Sequence, residues 1–214
     1  TLVGNNKTFA PVVEFSINNS DGVTAVSESL KEQTFENFDI KRDIKVIYNF
    51  IDFERFRKVN KDHLKKKNTP NGEKIIVHTS NFRKVKRVED TIYIFQKVKE
   101  KVPSKLLLIG DGPERDYLEG LCRTLHICED VRFLGKQDAI EELLSIADLF
   151  LIPSASESFG LAALEAMACQ VPVISSNIGG LPEVNIHGVT GFLSEVGDIQ
   201  SMSDHAIDLL TNEE

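Results

Sequence analysis

The chain has 214 residues, 41% hydrophobic and 27% charged, with a formal net charge of −8. That composition suits one substantial core, or one domain with part of another, and excludes a disordered or fibrous chain. The acidic balance argues against nucleic acid as a partner, because such binding needs many phosphate-neutralising Lys and Arg contacts.

The first 43 residues hold a short helix over 11–19, a strand over 22–26, and a second helix that Ser27 can cap. This is one βα unit without enough partners for a sheet of its own. It reads as the tail of one domain, followed by a connection over 44–71 that includes a short strand. The stretch 58–71, with Lys65-Lys-Lys67, reads as a solvated connection and not as a nucleic-acid arm.

From about residue 44 onward strand-like runs alternate with helical ones, the pattern of a parallel sheet covered by helices on both faces. Strands are expected at 44–48, 75–79, 106–109, 131–134, 149–152 and 171–174. Helices are expected at 88–101, 114–126, 139–147, 160–169 and 200–210, where apolar residues recur at three- and four-residue spacing. No apolar run approaches the roughly 20 residues that span a bilayer, and the amino terminus lacks the order of a signal peptide. No membrane contact and a cytoplasmic location are therefore expected. Cys122, Cys128 and Cys169 are an odd set without a Cys-x-x-Cys pair, which points to free thiols and not to a disulfide or zinc framework.

The chemistry gathers at one handover from strand to helix. Asp148-Leu-Phe-Leu-Ile-Pro153 is a buried-strand run, and 160–169 is rich in helix formers. Glu157 and Glu165, eight positions apart in Glu157-Ser-Phe-Gly-Leu-Ala-Ala-Leu-Glu165, bracket that helix start. Ligands of open α/β sheets bind beyond the carboxyl ends of the strands, and helix starts offer free N–H groups to anions. The two carboxylates read either as exposed helix charges or as grips on two hydroxyl-bearing parts of one long ligand. Arg83-Lys-Val-Lys-Arg87 follows another strand and reads as a solvated face or as a diphosphate clamp. Gly110 and Gly112 read as turn glycines or as the lining of a crevice, since Arg115 stands where a dinucleotide fingerprint needs its third glycine. His78 reads as a packed core residue and His187 as a loop residue; no histidine has a second ligand at metal spacing, and no Asp-x-Asp pair offers a metal site.

Glu157 to Glu165 resembles the Glu-x7-Glu motif of the retaining GT-B glycosyltransferases of family 4, which have two Rossmann-like domains. Gly179-Gly-Leu-Pro-Glu183 and His187-Gly-Val-Thr-Gly191 are similar to that family's next landmarks, in order and spacing. Ser80-Asn-Phe-Arg-Lys-Val-Lys-Arg-Val88, Tyr48-Asn-Phe-Ile-Asp52, Leu134-Gly-Lys-Gln-Asp138 and Ser20-Asp-Gly-Val-Thr-Ala-Val-Ser27 look like its bacillithiol-pathway branch, and the likeness covers the whole chain. The resemblance implies an α/β GT-B fold, UDP-N-acetylglucosamine as donor, L-malate as acceptor, no cofactor and no metal, with homo-oligomers in the full enzyme.

It also implies roles residue by residue. Glu157 would hold hydroxyls of the transferred sugar and Glu165 the ribose. Phe159, Gly160, Leu161 and Ala162 would present backbone amides, with Gly110 also at the donor site. Arg132 would stack on the uracil, while Lys86 and either Arg83 or Asn81 would neutralise the leaving diphosphate. Asn81 and Glu14 stand where relatives carry arginine, and Glu14 would repel malate if it faced the acceptor. The implied domains are 1–43 for the acceptor-domain tail, 44–71 for the connection and 72–214 for an incomplete donor domain, with the family's catalytic-site histidine ahead of Thr1. A polypeptide of that extent is expected to bind UDP-sugar weakly and to transfer poorly or not at all. The alternatives are a related transferase with another acceptor or a non-catalytic nucleotide-sugar-binding module; a dinucleotide oxidoreductase is disfavoured by the broken glycine pattern.

Overall fold

The structure, a computed structural model, describes residues 8–212. The outermost parts of the expected segments 1–43 and 72–214, namely 1–7 and 213–214, lie outside the described residues. The chain divides into two compact units, one up to Phe50 and one from Ile51 on.

The first unit holds α1 (Ala10–Asn18), β1 (Thr24–Ala25), α2 (Glu28–Asn37) and β2 (Lys45–Val46), with β1 and β2 paired in parallel. Ser27 caps α2, its hydroxyl accepting from Leu30 N–H at 3.0 Å. Glu14 on α1 accepts from the backbone N–H of Asp39 at 3.1 Å, so its carboxylate ties the helix to the chain after α2. The strand beginning the expected connection thus pairs inside this unit.

The second unit is an α/β domain. It contains α3 (Asp62–Asn68), β3 (Lys74–Ser80), α4 (Val88–Lys99), β4 (Ser104–Gly110), α5 (Arg115–Thr124), β5 (Val131–Gly135), α6 (Ile140–Ile146), β6 (Leu149–Ile152), α7 (Leu161–Ala168), β7 (Val173–Ser176), α8 (Leu181–Val184), β8 (Gly191–Ser194) and α9 (Ile199–Thr211). Its six strands are all parallel in the order β5-β4-β3-β6-β7-β8. Parallel strands need both faces covered, and two apolar layers do this. One packs α4, α5 and α9 on the sheet through residues such as Ile92, Leu118 and Met202; the other packs α6, α7 and α8 through Leu144, Ala163 and Leu181.

The expected strand over 171–174 begins instead at Val173, because Pro172 has no N–H for the ladder. Three elements escaped sequence reading: α3, α8 and β8. The stretch over 58–71 is more than a solvated connection. Leu64 of α3 packs on the second layer, Asn68 is buried, and Lys65 pairs with Asp148 at 2.7 Å. With only Leu64 and Asn68, four positions apart, turned inward, the segment is too polar for periodicity to reveal it.

The strand order reverses direction between β3 and β6: the chain proceeds from β3 to β4 on one side, then returns to place β6 on the other. Such a switch point opens a crevice at the carboxyl ends of the two strands. The pairing of β3 with β6 covers only Ile76 and Val77, opposite Leu149 and Phe150, while both strands run on beyond.

Candidate functional site

At that crevice lies a cleft of about 370 Å³ lined by Thr79, Ser80, Asn81, Lys86, Glu157, Gly160, Leu161, Ala162 and Glu165. Thr79 and Ser80 end β3, Asn81 follows it, Lys86 arrives on a 3-10 turn over Lys84–Lys86, and the rest come from the loop after β6 and the first turns of α7.

Glu157 is the fixed point of the cleft. Its Oε1 accepts from the Lys86 ammonium and from Ser154 Oγ, the latter at 3.2 Å, and its side chain is only 14% exposed. The loop beneath it needs two glycines. Gly180 N–H donates to Glu157 O at 3.0 Å, and a Cβ on Gly179, whose φ is +59°, would stand 2.0 Å from that same carbonyl. The Gly179-Gly180 landmark is therefore the backing of the Glu157 loop.

Gly160, at φ +99°, turns the chain into α7. Ala163 and Leu164 donate back to Gly160 O, at 2.9 and 3.2 Å, which leaves the N–H groups of Leu161 and Ala162 without an intrahelical acceptor at the cleft wall. Their partial positive charge favours an anion there. Glu165 lies one turn along, and among the described residues its carboxylate makes no hydrogen bond or ion pair. Burial pushes its carboxyl above the usual carboxylate range; Arg55 opposes this and Glu141 adds to it. Arg55 is itself held by Glu141 Oε2, at 3.1 and 3.0 Å, and by Asp138 O at 2.8 Å.

Of the expected site residues, the cleft gathers Glu157, Glu165, Lys86, Asn81, Gly160, Leu161 and Ala162. The remaining four lie elsewhere. Phe159 is buried, 6% exposed, and does not line the cleft. Gly110 ends β4 at φ +119°, where a Cβ would stand 1.8 Å from Ser80 O; it lets the loop after β3 pass close by and contributes no wall. Arg83 lines a different cavity of about 460 Å³ with Lys84, Arg87, Val88, Glu89, Glu114, Tyr117 and Leu118. Arg132 sits on β5 opposite Leu107, three residues short of the strand's end, and its guanidinium donates to Asn68 Oδ1 at 2.8 Å. At about 3.3 Å per strand residue, that is some 10 Å below the carboxyl edge, facing the α3 layer. Thr79, Ser80 and Ser154 were missed by sequence reading; the small polar run Ser154-Ala-Ser156 was the one visible signal.

Among the described residues no group of three or more His, Cys, Asp or Glu could hold a metal ion, and no helix is long and apolar enough to cross a membrane. Cys122, Cys128 and Cys169 are free, and burial pushes the Cys122 thiol up to about 12.

Residues 59–214 match the family model described as glycosyl transferases group 1. Over 215 aligned residues the chain is 49% identical to the N-acetyl-alpha-D-glucosaminyl L-malate synthase of Bacillus anthracis, covering 100% of this chain and 56% of that one. It is 32% identical to the D-inositol 3-phosphate glycosyltransferase of Mycolicibacterium smegmatis, over 84% of this chain and 42% of that one. The chain thus spans about half the length of these curated relatives. Among solved structures, Anabaena Alr3699/HepE in complex with UDP and glucose superposes with a TM-score of 0.89 at 25% identity, over 99% of this chain and 60% of HepE.

Proposed function

The chain belongs to the glycosyl transferases group 1 family, and we propose that it forms the donor-binding part of a retaining hexosyltransferase that moves N-acetylglucosamine from UDP-N-acetylglucosamine to L-malate. The observation that carries this reading is the pairing of Lys86 with Glu157 at the start of α7. Here a cation, two unbonded helix-start amides and two carboxylates line one cleft at the switch point of a parallel sheet.

Each group has a part to play on a nucleotide sugar. Lys86 moves from Glu157 to the diphosphate and, with the Leu161 and Ala162 amides, stabilises the charge that grows on it as the glycosidic bond breaks. Asn81 lies within the same wall and adds a neutral donor. Glu157, released, accepts hydroxyls of the transferred sugar. Glu165 accepts the ribose hydroxyls, which relieves a buried carboxylate of its missing partner.

Malate as acceptor rests on the 49% identity to the Bacillus anthracis malate synthase. Glu14, which departs from the family pattern, accepts from the Asp39 backbone within the first unit. The test is incubation of the complete gene product with UDP-N-acetylglucosamine and a panel of acceptors including malate, with product identified by mass spectrometry and its anomeric configuration by NMR. An α-linked GlcNAc-malate is the expected product; a β-linkage overturns retention, and preference for another acceptor overturns malate.

A further inference from the structure

We infer that buried His78 is a positioning residue for the donor cleft: through Ser80 it holds the backbone turn at Phe82 that delivers Lys86 to Glu157. The inference rests on the donor-site reading above and assigns a device to it.

His78 is fully buried in β3 among Ile75, Ile76 and Val77, on the strand that borders the crevice. Its Nδ1 lies 2.8 Å from Leu151 O and its Nε2 2.8 Å from Ser80 Oγ. A carbonyl only accepts, so Nδ1 carries the proton and the bare Nε2 accepts from the Ser80 hydroxyl. The Ser80 oxygen in turn accepts from Phe82 N–H at 3.3 Å. Burial lowers the His78 pKa to about 4, consistent with a neutral ring in this relay. Because β3 and β6 cease pairing after Val77 and Phe150, the imidazole meets the Leu151 carbonyl as the strands part. It bridges the gap that makes the crevice.

What the relay holds is a strained turn. Phe82 has φ +35°, a left-handed conformation that costs a non-glycine residue about 1–3 kcal/mol and persists only when its surroundings over-determine it. Here they do. Its ring is fully buried and lies edge-on to Phe133, with centroids 6.3 Å apart, and its carbonyl accepts from Glu114 N–H at 3.1 Å. Beside it, a Cβ on Gly112 would stand 2.0 Å from Asn81 O, so the loop from β4 passes where only glycine fits. Downstream, Val85 O accepts from Ala155 N–H at 2.8 Å, joining the segment to the loop that carries Ser154 and Glu157. The loop bearing Asn81 and Lys86 is thus fixed at both ends, and His78 anchors the upstream one.

A double-mutant cycle separates positioning from mere core packing. UDP affinity is measured by calorimetry for the natural chain, His78→Leu, Lys86→Ala and the double variant, with Ser80→Ala run in the same scheme should His78→Leu not fold. If His78 acts through Lys86, His78→Leu weakens UDP about tenfold in the natural background and less than about twofold once Lys86 is gone, a coupling of about 1 kcal/mol. Ser80→Ala should lose affinity in the same Lys86-dependent way. Equal losses in both backgrounds, or no loss in a folded variant, overturn the positioning role. A natural chain that does not bind UDP at all overturns the donor-site reading itself.

Discussion

Two cavities flank the segment from Arg83 to Arg87, and the larger of them holds more cations. It measures about 460 Å³ and is lined by Arg83, Lys84 and Arg87; the donor cleft measures about 370 Å³ and has Lys86 alone. The turn over Lys84–Lys86 divides the run, with Lys86 at the cleft and Arg83, Lys84 and Arg87 at the other cavity. In the larger cavity Arg87 is bound to the buried Asp90 at 2.6 and 3.1 Å, and Tyr117 donates to Glu89 at 3.1 Å. Glu89 and Glu114 offset the charge of Arg83 and Lys84. In the cleft, among the described residues, the Leu161 and Ala162 amides lack an intrahelical acceptor and the Glu165 carboxylate has no hydrogen-bond partner, while Lys86 and Glu157 form an ion pair that, on the proposed reading, a nucleotide sugar separates. Neither volume nor the number of cations by itself marks a site for an anion; the cleft is the cavity at the switch point of the sheet, with the Lys86–Glu157 pair at its wall.

The largest test of this contrast is Lys86→Ala. A charge-assisted hydrogen bond to phosphate contributes about 1.5–3 kcal/mol, so UDP affinity should fall about 10- to 100-fold in calorimetry. Unchanged affinity would mean the diphosphate does not sit in the cleft.

Glu157→Gln sharpens the same point by dividing nucleotide from sugar. Glu157 holds Lys86 in the cleft, so neutralising it frees the ammonium. UDP alone should then bind as well as before or a few-fold better. The added affinity of UDP-N-acetylglucosamine over UDP should drop by about 1 kcal/mol, roughly fivefold, because the sugar hydroxyls lose a charged acceptor. Equal weakening of both ligands would place Glu157 on the nucleotide.

Much of this cleft could be seen in the sequence, for a physical reason. Chemistry-bearing side chains at a strand-to-helix handover keep their place whatever the remoter packing, so Glu157, Gly160, Leu161, Ala162 and Glu165 fall where the motif puts them. The buried strands were equally visible: the run 149–152 matches β6 residue for residue. What could not be seen were contacts set by partners far along the chain. His78 reads as a packed residue, and it is one, but its tie to Leu151 spans 73 positions. Arg132 lies outside the cleft: β5 is an edge strand whose pattern does not tell which face each side chain takes, and Asn68, its partner, lies 64 positions away on a helix too polar to notice. Arg83 and Lys86 are three apart in one basic run, yet line separate cavities.

Glu165 gives a smaller, pH-dependent effect. Burial raises its pKa, and ribose hydroxyls donating to the carboxylate would favour the ionised form. Binding therefore requires loss of a proton below the raised value. UDP affinity should be level above it and fall as pH drops through it, by at most about tenfold per pH unit. Glu165→Gln should bind more weakly and, after the shared titration of the phosphate is subtracted, show no such fall. An identical pH profile for both proteins would remove Glu165 from the ribose.

The smallest expected effect bears most directly on the two cavities. Arg83→Ala and Lys84→Ala each delete a cation within a few positions of Lys86, and a clamp built from the whole basic run would lose affinity with each. The geometry puts both side chains at the other cavity, with Glu89 and Glu114 beside them. Their remaining influence on UDP is a long-range field through solvent, screened over about 8 Å at physiological salt. Each substitution should change UDP affinity by less than about twofold at 0.15 M salt, and by somewhat more at low ionic strength. A loss approaching that of Lys86→Ala, persisting at high salt, would require Arg83 or Lys84 to turn into the cleft on binding, and the contrast between the two cavities would collapse.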